Sequence, residues 1–421
     1  MKLIKPSKIN GSVEARPSKS LMQRAVAASM LAEGISAIRN PSFCDDSLAA
    51  LGIAKKFGAK INKTPKKVEI RGINIKENLT SEKLRLDCQE SGLCVRMFSP
   101  IAALFDKEII ITGKGSLLSR PVGMIEKPLT LLGATKCIAK NGFPPIEIKG
   151  PIKGGNIGVD GSISSQFLTG LLMALPLCEN DSEIAISNLK SKPYVNMTIR
   201  VLNKFGIKVN ADKNLEEIRV AGNQKYKPCE FEIENDWSSA AFLLVAGAIA
   251  GKVELKGLNK DSEQADRSIL AALKCAGALL EIKKNSVVVE KNNLQAFEFD
   301  ISNCPDLFPA LAVLACNCRG KSKIMGIERL RHKESNRAFI LAQELKKMGA
   351  KINVFENHAE IKQSGMHFAK ADSHNDHRIA MACSIAGLTS ENGVRIIGEK
   401  CISKSYPEFF DDLKKIGADV L

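Results

Sequence analysis

Lys346-Lys347-Met348-Gly349-Ala350-Lys351-Ile352-Asn353-Val354 ends a helical stretch on an apolar residue, breaks it at a glycine and leaves as a strand-like run. A glycine there acts as a helix stop, where the backbone turns left-handed and a Cβ would be costly. The same signature recurs at Lys55-Lys56-Phe57-Gly58-Ala59, Leu131-Leu132-Gly133-Ala134, Asn203-Lys204-Phe205-Gly206-Ile207, Lys274-Cys275-Ala276-Gly277-Ala278 and Lys414-Lys415-Ile416-Gly417-Ala418. The glycines stand 68 to 75 residues apart, so six units of about 70 residues account for the 421-residue chain.

Upstream of each stop by about 40 residues lies a second kind of helix, apolar almost all round and therefore expected to be buried. These segments are Ser20 to Leu31, Gly92 to Phe105, Ser165 to Leu177, Ser239 to Ala250, Asp306 to Cys318 and His377 to Leu388. Each unit thus reads strand, buried helix, strand, amphipathic helix, strand or strands. The fold class that follows is α/β, with buried helices inside and sheets wrapped around them.

Composition narrows the function classes. Apolar residues make up 44% of the chain and charged residues 25%, which is ordinary for a soluble globular protein and excludes disordered and fibrous classes. The opening Met1-Lys2-Leu3-Ile4-Lys5-Pro6 has no apolar core of a secretory signal, and Ala240 to Gly251 is too short to span a bilayer. A cytoplasmic protein is expected. The twelve cysteines are scattered, and Cys316 and Cys318 lack the two-residue spacer of a zinc or redox hairpin, so reduced core thiols and no metal are expected. A net charge of +15 points to nucleic acid or to small anions. Aromatic residues at 5% and a single tryptophan supply no stacking platform, which argues against nucleic acid.

The starts of the buried helices carry the informative polar groups: Ser18-Lys19-Ser20, Ser91-Gly92, Ser164-Ser165-Gln166, Ser238-Ser239, Pro305-Asp306 and Asp376-His377-Arg378. Ser and Asp there read as caps worth about 1 kcal/mol each. Capping does not account for Lys19, Arg24, Arg96 and Arg378, whose charge opposes the helix dipole. A cation at a helix amino end makes sense where an anion is shared. Two or more small anionic ligands, without metal, are the expectation.

At this point the motifs become recognisable. Arg16-Pro17-Ser18-Lys19-Ser20-Leu21-Met22-Gln23-Arg24-Ala25, Asp160 to Thr169 and Ser191-Lys192-Pro193-Tyr194 resemble the substrate loops of the enolpyruvyl transferase family, on the branch that uses shikimate 3-phosphate as acceptor. Pro305-Asp306, Lys333-Glu334-Ser335-Asn336-Arg337, Asn375 to Met381 and Lys404-Ser405-Tyr406-Pro407 continue the match in family order. The resemblance implies a two-domain inside-out α/β barrel of six βαβαββ repeats, three per domain. One domain would span 1–16 plus 236–421 and the other 17–235, closing on substrate. The implied reaction moves the enolpyruvyl group of phosphoenolpyruvate to the 5-hydroxyl of shikimate 3-phosphate through a tetrahedral intermediate, in the shikimate pathway of aromatic amino acid biosynthesis. It needs no cofactor and implies a monomer whose partners are these anionic substrates, with neither nucleic acid nor membrane.

By the same resemblance Asp306 is the hydroxyl base, Glu334 the proton donor at C3, and Lys19 the bridge that assists phosphate departure. Shikimate 3-phosphate would be held by Lys19, Ser20, Arg24, Ser164, Ser165, Gln166, Ser191, Asp306 and Lys333. Phosphoenolpyruvate would be held by Lys19, Gly92, Arg120, Gln166, Arg337, Arg378 and Lys404, the arginines matching carboxylate and phosphate oxygens bidentately.

The second repeat departs from the family pattern: Glu90, Leu93 and Met97 stand where Asn, Thr and Pro are usual, while Gly92 and Arg96 keep their spacing. A carboxylate beside a substrate anion is unfavourable, so Glu90 is expected either to be neutralised by a cation such as Arg96 or to point away. Altered affinity for phosphoenolpyruvate, and for inhibitors that mimic it such as glyphosate, is the consequence expected here. Arg329 stands where many relatives have Asn. Transfer to UDP-N-acetylglucosamine is the nearest rival, but Gly113 to Arg120 lacks that branch's reactive cysteine. An inactive anion-binding relative is the remaining alternative.

Overall fold

A computed structural model describes residues 1–75 and 83–421. Among them are twelve α-helices that alternate in kind. The odd-numbered ones, α1 (Lys19–Leu31), α3 (Gly92–Ala102), α5 (Gln166–Ala174), α7 (Trp237–Ala250), α9 (Phe308–Cys316) and α11 (His377–Gly387), are buried along nearly every residue. The even-numbered ones, α2 (Asp45–Lys56), α4 (Glu126–Leu131), α6 (Lys192–Lys204), α8 (Ile269–Cys275), α10 (Arg337–Lys347) and α12 (Phe409–Lys415), keep a solvent face. Each even helix is followed by its predicted glycine in the left-handed region: Gly58 (φ +109°), Gly133 (+110°), Gly206 (+79°), Gly277 (+81°), Gly349 (+93°) and Gly417 (+101°).

Among the described residues, five four-stranded sheets and one three-stranded sheet accompany the six repeats. The fifth repeat shows the plan. Strands Glu298–Asp300 and Lys321–Met325 are parallel, joined through α9, and α10 leads to the antiparallel strands Lys351–Val354 and His358–Lys362. Along Lys321–Met325 the residues alternate, with Ser322 and Ile324 turned inward, as a sheet with one face on the core requires. The last repeat differs from the expectation. After Gly417 only an isolated bridge forms, Ile4 to Val420, and the amino-terminal strand Lys2–Ile4 completes that sheet beside Val394–Ile397.

The chain divides into two compact units, Met1–Arg16 with Glu234–Leu421, and Pro17–Ile233. Each has its own apolar core and three of the six sheets. In the second unit, Glu230–Glu232 returns to pair with Ile35–Arg39, so the end of the segment supplies the strand missing from its beginning. In the first, Ile9–Glu14 supplies the leading strand of the α7 repeat by pairing with Gly251–Lys256. All twelve cysteines are free thiols, and ten are buried. No helix among the described residues is long and apolar enough to cross a membrane.

The core of the Pro17–Ile233 unit turns on the approach of α5 to α3. A Cβ at Gly170 would lie 2.7 Å from the carbonyl oxygens of both Arg96 and Met97, whereas a Cβ at Gly52, on α2, would meet nothing. Gly170→Ala is therefore expected to cost about 1–3 kcal/mol in urea unfolding, while Gly52→Ala gains about 0.5–1 kcal/mol from its helix propensity.

Candidate active site

In the Pro17–Ile233 unit, the amino-terminal turns of α1, α3, α5 and α6 are laced together by side chains the sequence singled out. Ser18 accepts the Leu21 N–H at 3.5 Å and so fixes the start of α1. Lys19 Nζ, next along, donates to Asp46 Oδ2 at 2.8 Å, in the first turn of α2. Arg24 follows about one turn later. Its Nε donates to Thr198 Oγ1 (2.9 Å), Nη1 to the Ser20 carbonyl (2.8 Å), and Nη2 to Thr169 Oγ1 (3.3 Å) and the Tyr194 carbonyl (3.4 Å). All four acceptors are uncharged. Burial pushes this guanidinium down to about 10, with the Tyr194 side chain opposing the shift. A buried cation held only by dipoles is poised for an anion.

Ser91 caps α3 by accepting the Cys94 N–H at 3.3 Å, and its hydroxyl donates to Gln23 Oε1 at 2.8 Å, tying α3 to α1. Gly92 opens the helix because the Arg120 guanidinium lies across it: a Cβ there would come within 2.4 Å of Arg120 Cζ and Nη1. Arg96 donates to Gln166 Oε1 (2.9 Å) and to the Pro121 carbonyl (2.7 Å), fixing Gln166 and the loop after Arg120 at once. At α5 the Ser164 hydroxyl, not that of Ser165, accepts the Gln166 N–H (3.2 Å). Ser191 stands in left-handed geometry (φ +57°) immediately before α6.

Glu90 is engaged by the loop ahead of Arg120. Its Oε2 accepts the Ser116 N–H (3.1 Å) and the Ser116 hydroxyl (2.8 Å), so the carboxylate holds the turn Gly115–Ser119 that leads to Arg120. Gly115 (φ +54°) lies so close that a Cβ would meet the Glu90 carboxylate at 2.6 Å.

In the other unit the centre is Arg337, 1% exposed at the start of α10. Its Nη1 donates to Asp306 Oδ1 (2.8 Å), its Nη2 to Glu334 and to Asp376 Oδ1 (3.2 Å), and its Nε to Asp376 Oδ2 (2.9 Å). Asp306 also accepts from Arg378 Nη2 at 3.1 Å and pairs with Lys333 Nζ at 3.3 Å. Burial alone would raise the Asp306 carboxyl, but Arg378, Lys333 and Arg337 together hold it well below the usual carboxylate range. Lys333 is pushed down to about 8, chiefly by burial, with Arg337 and Arg329 adding and Asp306 opposing. Asp376 caps α11 through the Arg378 N–H (3.0 Å), and Lys404 Nζ donates to the adjoining Asn375 carbonyl (2.6 Å).

The predicted residues therefore fall into two sets: Lys19, Ser20, Arg24, Gly92, Arg120, Ser164, Ser165, Gln166 and Ser191 in one unit, and Asp306, Lys333, Glu334, Arg337, Arg378 and Lys404 in the other. Two capping expectations change. The start of α7 is capped by Asp236, which accepts the Ser238 and Ser239 N–H groups, because the aspartate precedes the two serines. Asp306 does not cap, because cations occupy its carboxylate. The residues missed are the counter-ions, Asp46 for Lys19 and Asp376 for Arg337. Asp45-Asp46 at a helix start was a legible signal; the Arg337–Asp376 pairing spans 39 residues and had none.

A family model described as EPSP synthase (3-phosphoshikimate 1-carboxyvinyltransferase) matches residues 3–413. A 3-phosphoshikimate 1-carboxyvinyltransferase of Clostridium beijerinckii is 37% identical over 98% of this chain and 97% of its own length. One from Methanococcus maripaludis is 38% identical over 99% and 98%. The solved EPSP synthase of Acinetobacter baumannii superposes with a TM-score of 0.83 at 26% identity, covering 100% of this chain and 99% of that one. With a family model spanning nearly every residue and relatives matched along their full length, this chain belongs to the EPSP synthase family.

Proposed function

We propose that the two sets of residues serve one reaction, transfer of the enolpyruvyl group of phosphoenolpyruvate to the 5-hydroxyl of shikimate 3-phosphate. The observation that carries this reading is the pair Asp306 and Glu334 on a single buried arginine, flanked by Lys333 and Arg378. Addition needs a proton acceptor for the hydroxyl and a proton donor for C3, side by side among cations that stabilise the developing charge. Asp306 receives the hydroxyl proton as oxygen bonds to C2, and Glu334 gives C3 its proton. In the second half C3 returns a proton to Glu334, the C2–O bond to phosphate breaks, and the hydroxyl proton departs with phosphate.

The cations clustered on Asp306 make it a weak base in the absence of ligand. An anion that recruits Arg378, Arg337 or Lys333 relieves that hold and raises its basicity, so binding itself prepares the base. Lys19, Ser20, Arg24, Ser164, Ser165, Gln166, Ser191 and Lys333 hold the acceptor's phosphate and ring in this reading. Gly92, Arg120, Gln166, Arg337, Arg378 and Lys404 hold phosphoenolpyruvate, with Lys19 shared and assisting phosphate departure.

The direct test is phosphate release from phosphoenolpyruvate. It is expected with shikimate 3-phosphate and absent with UDP-N-acetylglucosamine; release with neither, or with the nucleotide sugar, contradicts the reading. Asp306→Asn and Glu334→Gln are each expected to lower kcat by about 10²–10⁴-fold. Lys333 loses its charge as pH rises through about 8, so KM for shikimate 3-phosphate should climb above that pH in the wild type and stay flat in Lys333→Gln.

A further inference from the structure

Asp266 belongs to neither set and to no motif of the sequence. It sits in the 3₁₀ turn Ala265–Ser268 before α8 and is 1% exposed. Its Oδ2 is hydrogen-bonded to the hydroxyl of Ser238 in the first turn of α7, and its Oδ1 is buried with no hydrogen-bond partner. A carboxylate with one bare, buried oxygen is costly, because half of its charge has lost water and gained nothing. The neutral acid avoids most of that cost: neither oxygen then carries a share of a full negative charge, and Oδ2 still accepts the Ser238 hydroxyl.

The carboxylates around it favour the same state. Asp306, Asp236 and the cation Arg378 face it, together with the Cys304 thiol. Burial first and then Asp306 push its titration up to about 7, while Arg378 and the Ser238 hydroxyl pull the other way. Arg378, 3% exposed, already serves the Asp306 carboxylate.

We propose that Asp266 is a positioning residue that works as a neutral carboxylic acid behind Arg378, leaving that guanidinium to Asp306 and to an arriving anion. Once ionised, Asp266 adds a further negative claim on Arg378 and repels the anion. The proposal rests on the reading that Arg378 binds phosphoenolpyruvate, and it makes affinity for that substrate fall as Asp266 loses its proton.

The experiment measures KM for phosphoenolpyruvate from about pH 6 to 9 in the wild type, Asp266→Asn and Ser238→Ala. Asparagine is a permanently neutral isostere. The wild-type KM is expected to rise by about tenfold across neutrality, and Asp266→Asn to match the wild type at low pH and lose most of that rise. Ser238→Ala removes the hydroxyl that stabilises the ionised form, so its rise should shift to higher pH. A rise of equal size and position in all three proteins overturns the proposal, as does an Asp266→Asn defect that is the same at every pH. If Asp266→Asn does not fold, the direction of the Ser238→Ala shift decides. Infrared difference spectra of the substrate-free wild type and Ser238→Ala report the acid independently. A carboxylic acid band that bleaches near neutrality, moved upward in Ser238→Ala, is expected, and its absence counts against a neutral Asp266. An enzyme that shows this band but does not turn over phosphoenolpyruvate would refute the assignment of substrate and leave the acid's state established.

Discussion

A guanidinium cannot be taken out of water without compensating charge, and Arg337 is almost wholly out of water. Three carboxylates, from Asp306, Glu334 and Asp376, supply that compensation, and each arrives from a different place: the turn before α9, the approach to α10, and the cap of α11. Meeting the demand of one buried cation thus fixes Asp306 and Glu334, the proposed acid–base pair, and the start of the helix that carries Arg378. Removing Arg337 would leave the Asp376 carboxylate and Glu334 without this partner, while Asp306 would keep Arg378 and Lys333.

The two units meet the problem of cations at helix amino ends differently. In the first, Asp306 answers Lys333, Arg337 and Arg378 within the protein itself. In the second, Arg24 is held by hydroxyls and carbonyls, while Lys19 has Asp46. In the reading proposed, an anion reaches the first set by exchanging with carboxylates, and reaches Arg24 by supplying charge that neutral acceptors do not. Glu90 fits the same logic. It is an acidic residue among elements proposed to bind anions, and its carboxylate holds Ser116 beside the Gly115 turn.

The repeat was legible because a helix stop leaves a local mark: all six glycines have the predicted left-handed backbone, each following an even-numbered helix. The buried helices were legible for the same reason, since a segment without a polar face has one place to go. The residues of both sets were found through motifs whose order along the chain is itself informative. Long-range charge pairing was not legible. Asp376 reads locally as a cap, and so it is, but its bonds to Arg337 depend on how α10 and α11 pack. Asp266 left no sign at all, because its character comes from burial and from Asp306 and Arg378, 40 and 112 residues away in sequence. The capping of α7 by Asp236 rather than by the serines turned on a choice among adjacent polar residues that spacing alone does not make.

The central claim is that both sets of residues act on the same pair of anions. A crystal structure with shikimate 3-phosphate and an analogue of the tetrahedral intermediate tests it most directly. The account predicts Lys19, Arg24 and Arg120 together with Lys333, Arg337 and Arg378 in contact with the bound ligands, and Asp306 within hydrogen-bonding distance of the 5-oxygen. Ligands touching only one of the two sets, with Asp306 still wholly engaged by its cations, would contradict it.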